Sequence, residues 1–223
     1  MVIELRDVLK TYKTGGQPIK AVDNVSFQAA KGEFVAIMGH SGSGKTTLLN
    51  LMGGLARPDS GSVVIDGIDL ISISDSVLSE FRNKKMSFIF QFASLIPTLT
   101  SVENIMLPSV FSRESGSNLR AAACELLEMV GLADKMNSYP SQLSGGQQRR
   151  VAIARAFINN PEIIFADEPT GDLDEDAEAE IIKLFKTMNK EKGITFIMVT
   201  HSSSIANEAG RVMRMHNGRL GNA

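Results

Sequence analysis

The sequence predicts an α/β fold in which a mostly parallel sheet is wrapped by helices, with a small antiparallel β subdomain on the N-terminal side and an inserted α-helical subdomain. Two observations carry the main sheet and one carries the insertion. Apolar runs at Glu33–Met38, Ser87–Phe90, Glu162–Ala166 and Ile194–Val199 are continuous rather than alternating, as expected of strands buried on both faces. Patterns with helical period lie between them, which is the rhythm of strands joined by helical crossovers. Between Gln91 and Asn160, however, there are helical patterns and no convincing strand.

Taken in order, residues 1–30 and 61–70 read as strands with turns, including the Asp66-Gly67 dipeptide, and suggest an antiparallel layer at one edge. Residues 45–52 form a helical pattern that stops at Gly53-Gly54, and a second runs from Asn118 to Val130 and stops at Gly131. A third begins in Gly146-Gln147-Gln148 and carries Val151, Ala154, Phe157 and Ile158 on one face; a fourth shows Ile181, Leu184, Phe185 and Met188 at helical spacing. The expected organisation is one domain over 1–223, with a core made of 1–90 and 161–223 and a helical insertion at 91–160.

Composition narrows the function classes. A formal net charge of -2 over 223 residues gives no general attraction for nucleic acid or anionic lipid. The single cysteine, Cys124, excludes an intramolecular disulfide and fits a reducing compartment; in Ala121-Ala122-Ala123-Cys124 it reads as a small packed side chain. Met1-Val2-Ile3-Glu4-Leu5-Arg6-Asp7 has early acidic residues and no apolar core of signal-peptide length, so secretion is not expected. No apolar run approaches the roughly 20 residues of a bilayer span, so a membrane role would be peripheral.

The chemistry begins at Gly39-His40-Ser41-Gly42-Ser43-Gly44-Lys45-Thr46, which fits G-x-x-x-x-G-K-[ST] between a buried strand ending at Met38 and a helix starting at Lys45. Glycines let backbone N–H groups turn inward around an oligophosphate, and the helix amino terminus adds a favourable dipole. Lys45 suits the β and γ phosphates, and the Thr46 hydroxyl suits magnesium. His40 and Ser41 occupy variable positions, with His40 expected to be exposed. Ile163-Ile164-Phe165-Ala166 then runs into Asp167-Glu168 at the carboxyl end of a strand, where ligands bind in open parallel sheets. Alternation puts the two carboxylates on opposite sides, Asp167 for the magnesium shell and Glu168 to polarise an attacking water. Asp172, Asp174, Glu175 and Asp176 form an acidic run expected mainly at a solvated helix start. His201 ends another strand within reach of a γ phosphate, and Gln91 ends the strand Ser87–Phe90, where its amide could reach magnesium or water. Either residue alone is more often structural or merely exposed.

Together with Leu143-Ser144-Gly145-Gly146-Gln147 (LSGGQ), these motifs closely resemble the nucleotide-binding subunit of ABC transporters, in that family's order and over essentially the whole chain. The resemblance implies a P-loop NTPase (RecA-like) core that binds ATP and Mg2+ and hydrolyses ATP. It implies that Tyr12 stacks on adenine, that Gly39 to Thr47 cradle the phosphates, and that Thr46, Gln91 and Asp167 hold magnesium. Glu168, His201, Gln91 and Lys45 would carry hydrolysis. It further implies a head-to-tail homodimer in which Ser144, Gly145, Gly146, Gln147 and Asp174 of one chain serve the nucleotide of the other. The subunit would sit at the cytoplasmic face of the inner membrane against an integral membrane partner, without nucleic acid.

Phe90-Gln91-Phe92, Leu95-Ile96-Pro97-Thr98-Leu99-Thr100 and Val102-Glu103-Asn104-Ile105 look most like the lipoprotein-releasing and macrolide-exporting group. Departures from the family's habit are Asp172 in the acidic loop and Ser202 after His201, neither of which removes a required group. A soluble ABC ATPase acting on nucleic acid or the ribosome is the alternative, but it would usually show a coiled-coil insertion, a second cassette or a basic surface. A GTP switch would need a guanine reader, and the nearest candidate, Asn189-Lys190-Glu191-Lys192, ends in the wrong residue.

Overall fold

The N-terminal layer is a four-stranded antiparallel sheet formed by β1 (Ile3–Thr14), β2 (Gln17–Ala29), β4 (Ser60–Ile65) and β5 (Ile68–Asp69), in the order β2-β1-β4-β5. In this computed structural model, residues 1–14, 17–111, 118–171 and 173–222 are described. Leu5, Val8, Val22, Val25 and Phe27 point from this layer into a core shared with β3 (Phe34–Met38) and α1 (Lys45–Met52). Asp66 and Gly67, both at positive φ, make the expected turn between β4 and β5.

The main sheet has six strands ordered β10-β9-β3-β8-β7-β6. They are β6 (Met86–Ile89), β7 (Ile163–Asp167), β8 (Thr195–Thr200), β9 (Arg211–His216) and β10 (Arg219–Asn222), together with β3. Every pairing from β9 to β6 is parallel, and only β10 on β9 is antiparallel. All four expected strands are present, each within one residue of the expected bounds. Strand β7 and strand β8 are buried at every position, which is why their runs are continuously apolar. Phe165, Phe185 and Phe196 are fully buried, each contributing roughly 1.5–3 kcal/mol by leaving water.

Helix α2 (Asp75–Lys85) has no counterpart among the expected helices. It buries only Leu78 and is held by its ends: Ser74 accepts from the Val77 N–H, and Arg82, Lys84 and Lys85 lie in the last turn. The described elements between Gln91 and Asn160 are helical: α3 (Ser101–Val110), α4 (Leu119–Met129) and α5 (Gly145–Phe157), with short 3-10 turns at Ala133–Lys135 and Pro140–Gln142. Their shared core contains Val102, Ile105, Ala123, Leu127, Val151 and Ala154, with Cys124 packed at its margin. Helix α6 (Glu175–Lys192) then closes the other face of the main sheet through Ile181, Ile182 and Phe185, and short α7 (Ser203–Ala206) follows β8. None of the described helices is long and apolar enough to cross a membrane.

Candidate functional site

Strand β3 ends at Met38 and α1 starts at Lys45, so the loop between them stands at the carboxyl edge of the sheet, beside the ends of β8 and β7. Two of its glycines, Gly39 and Gly44, are required by space. A Cβ on Gly39 would collide with the Met215 carbonyl and the Ser43 hydroxyl, and one on Gly44 would collide with the Ala21 carbonyl. Gly44 also adopts φ 106° and caps α1 without any side-chain bond, so no side chain occupies the helix entrance. The Ser43 hydroxyl is buried without a hydrogen-bond partner, and Lys45, only 8% exposed, turns its ammonium onto the loop's own Gly39 and His40 carbonyls at 2.8 and 3.2 Å. A buried cation resting on neutral carbonyls, at a helix amino terminus open to ligand, is a geometry made for an oligophosphate.

A cavity of about 1140 Å³ opens over this loop. Gly39, His40, Ser41, Gly42, Gly44, Lys45, Thr46 and Thr47 line it, together with Gln91, Asp167, Glu168 and His201. Side chains separated by more than 150 positions in sequence thus converge on one space. Ser43 is turned inward beneath the loop instead.

The two carboxylates reach this space by a route that strand alternation does not describe. Asp167 is the last residue of β7, and Glu168 sits at φ 46°, a left-handed conformation uncommon for a residue with a side chain. The backbone turns there instead of continuing the pleat. The expectation of opposite sides is therefore corrected: both line the same cavity. Glu168 is held by His201, whose Nδ1 lies 3.0 Å from Oε2 and whose backbone N–H donates to the same oxygen at 3.3 Å. Asp167 is buried, and burial pushes its carboxyl above the usual range, with the neighbouring Glu168 charge adding to the rise. A hydrogen bond with Thr46 and the charges of Lys45 and Arg149 pull the other way. A hydroxyl, a carboxylate and the Gln91 amide facing one cavity are oxygen donors of the kind a hard divalent cation takes, and the desolvated Asp167 would be relieved by one.

Several expected site residues lie elsewhere. Tyr12 is on β1, 43% exposed, with the Lys10 ammonium 5.7 Å from its ring centre, and does not line the cavity. Ser144 caps α5, accepting from the Gln147 N–H at 3.2 Å while Gln147 Oε1 accepts from the Ser144 N–H at 2.9 Å. Ser144, Gly145, Gly146 and Gln147 are absent from the cavity wall, and open space surrounds Gly145. Asp174 caps α6 by accepting from the Ala177 N–H at 2.8 Å, and Glu175 and Asp176 follow in the first turn. Asp172 lies outside the described residues.

Arg149, Arg214 and His216 also line the cavity, although the motifs do not mark them. Arg214 and His216 belong to the β9–β10 hairpin, whose Asn217-Gly218 turn was the available signal. His40, His201 and His216, all three histidines of the chain, therefore face one space.

Comparison with known proteins agrees with this geometry. A family model described as ABC transporter matches residues 22–171. The macrolide export ATP-binding/permease protein MacB of Syntrophobacter fumaroxidans is 45% identical over 97% of this chain and 31% of its own length. The chain thus spans about a third of the MacB proteins it matches. The lipoprotein-releasing system ATP-binding protein LolD of Syntrophotalea carbinolica is 41% identical over 98% of this chain and 96% of its own. Among solved structures, a dimeric post-hydrolysis state of the ATP-binding cassette MJ0796 with ADP and Pi, a protein of Methanocaldococcus jannaschii, superposes with a TM-score of 0.93 at 44% identity, covering 98% of this chain and 96% of that one.

Proposed function

Since the chain belongs to the ABC transporter family and is an ATP-binding, ATP-hydrolysing cassette, we propose that it works as one half of a head-to-tail pair. That pair would drive an integral membrane partner from the cytoplasmic face of the membrane. The observation that carries this reading is the separation within one chain: the phosphate loop, Asp167, Glu168, His201 and Gln91 share a cavity, whereas the helix entrance at Ser144 to Gln147 lies outside it, with open space around Gly145. An anion-ready helix terminus that serves nothing in its own chain suits a nucleotide held by a second copy.

In this reading Lys45 leaves the Gly39 and His40 carbonyls for the β and γ phosphates, while the N–H groups at the start of α1 take the remaining oxygens. Thr46, Asp167 and Gln91 would hold magnesium, which would supply charge neutralisation on the phosphates. Glu168 orients and polarises the attacking water, and His201, already bonded to Glu168, fixes that carboxylate and donates toward the γ phosphate. Tyr12 stacks on the adenine. Ser144, Gly145, Gly146, Gln147 and Asp174 meet the nucleotide of the partner. Residues 91–160 act as a subdomain that shifts against the core when the pair closes, and Phe92, 73% exposed just after Gln91, presents an apolar contact to the membrane subunit. The likeness to LolD and MacB favours a role in lipoprotein release or macrolide export.

Glu168→Gln tests the core of this reading. The variant should bind ATP, lose hydrolysis and accumulate as a dimer, read by light scattering with and without ATP. Turnover at the wild-type rate would overturn the assignment of Glu168.

A further inference from the structure

Gln91 does not hang from the strand that precedes it. Strand β6 ends at Ile89, and the segment beyond it is fastened to the signature helix α5 by two arginines. Arg149 Nη1 donates to the Phe90 carbonyl at 2.7 Å. Arg155 donates through both arms of its guanidinium, Nη1 to the Ser94 carbonyl at 3.0 Å and Nη2 to the Ala93 carbonyl at 2.9 Å. Gln91 is therefore bracketed, with its preceding carbonyl in the grip of one arginine and the carbonyls two and three residues later in the grip of the other.

The bracket is built at some cost to the fold. Arg149 is 2% exposed, and Arg155 is buried enough that desolvation holds its guanidinium below the usual range. Ser94 adopts φ 46°, which persists only where neighbours hold it. Beyond the bracket, buried Asn104 of α3 accepts from the Ile96 N–H at 2.7 Å and donates to the Ile96 and Leu99 carbonyls at 3.2 and 2.9 Å. The whole stretch from Phe90 to Leu99 is thus tied to the helical layer, through bonds that, for the arginines, are charge-assisted and roughly twice as strong as neutral ones.

We propose that Arg149 and Arg155 are positioning residues for Gln91: by holding the carbonyls on either side of it against α5, they fix the pose from which its amide faces the nucleotide cavity. This rests on the proposed role of Gln91. The two arginines differ in what could replace them. Arg149 gives the Phe90 carbonyl one N–H, which a lysine ammonium can reach while keeping the charge that acts on Asp167. Arg155 spans two carbonyls with a planar fork, which an ammonium cannot reproduce.

The test is steady-state ATP hydrolysis by the full chain carrying Gln91→Ala, Arg149→Met, Arg149→Lys, Arg155→Lys or the double change Arg155→Lys with Gln91→Ala, since Arg155, unlike Arg149, does not line the cavity. Arg149→Met and Arg155→Lys should each lower kcat about tenfold with KM for ATP within about twofold, and Arg149→Lys should recover most of the loss. The double variant should be no slower than Gln91→Ala alone, because a Gln91 that is already absent cannot be misplaced. Losses that multiply in the double variant, or Arg155→Lys with wild-type kcat, would overturn the proposal. Should Arg149→Met melt at the assay temperature, Arg155→Lys, which keeps charge and length, decides by itself. Failure of the underlying reading has a different signature: Gln91→Ala would hydrolyse ATP at the wild-type rate, or Glu168→Gln would not pair.

Discussion

Gly44 and Gly145 each stand at the first turn of a helix, and they occupy opposite kinds of space. Gly44 is wedged under the Ala21 carbonyl and the Met215 side chain at φ 106°, whereas nothing lies within 4 Å of a Cβ on Gly145. The helices they open differ in the same sense. Helix α1 has no side-chain cap, while α5 begins with a reciprocal Ser144–Gln147 capping box. The phosphate loop is thus held rigid by its own chain but left with donors for a ligand. The signature helix is complete in itself and leaves its surface clear. A site divided between two chains calls for this division of labour: one half preorganised around the phosphates, the other stable alone yet able to accept an approaching molecule.

The largest expected effect comes from breaking the rigid half. Gly44→Ala must relieve a collision with backbone and adopt a conformation hostile to a side chain, so it should destabilise the fold by roughly 2–4 kcal/mol and abolish ATP binding. Urea unfolding and a nucleotide titration read the two effects. A variant that bound ATP normally would mean that the loop is not held as rigidly as its packing implies.

Next in size is the open half. Gly145→Ala should leave stability within about 0.5 kcal/mol, since the added methyl meets nothing and the helix start is already capped. Hydrolysis should nevertheless fall by about 10- to 100-fold, because the methyl stands where the proposed partner nucleotide would lie against backbone N–H groups. A fall in activity without a fall in stability separates this glycine from Gly44. Unchanged hydrolysis would remove the signature from the site.

The same contrast explains what could be read in advance. Strands β3, β7 and β8 are buried on both faces, and burial of that kind leaves an unmistakable apolar run. The phosphate loop was legible because particular residue types are the only ones that fit, whereas the Ser144–Gln147 capping box, which starts the helix one residue ahead of the expected Gly146, came only with the fold. Helix α2 was not, since its single buried side chain, Leu78, makes no period, and β9 was hidden by the arginines at its start and middle, Arg211 and Arg214. The turn at Glu168 had no mark at all: a left-handed residue without glycine depends on what surrounds it, here the Val199 carbonyl, which accepts the Glu168 N–H at 3.0 Å, and His201. Arg149 and Arg155 read simply as polar positions on α5, and only the fold reveals the carbonyls beneath them.

The smallest effect concerns stability alone, and it sharpens the comparison from the side of the rigid half. Burial holds the Asp167 carboxyl above its ordinary value of 3.8, with the Glu168 charge adding to the rise, so the native state keeps this proton at a pH where the unfolded chain has released it. The stability associated with that proton is fully present below about 3.8 and is lost as pH rises through the folded value. Once ionised in the nucleotide-free protein, Asp167 is a buried charge that the fold tolerates. Asp167→Asn keeps the shape and removes the charge, so the nucleotide-free variant should be more stable than wild type at pH 7, and the gap should close as pH falls toward 4. Urea unfolding of both proteins across that range measures it. Added magnesium and ATP should reverse the order at pH 7, because only the aspartate gains from a bound cation. A variant no more stable than wild type at pH 7 would show that Thr46, Lys45 and Arg149 already compensate the buried charge, leaving no strain at this position for a ligand to relieve.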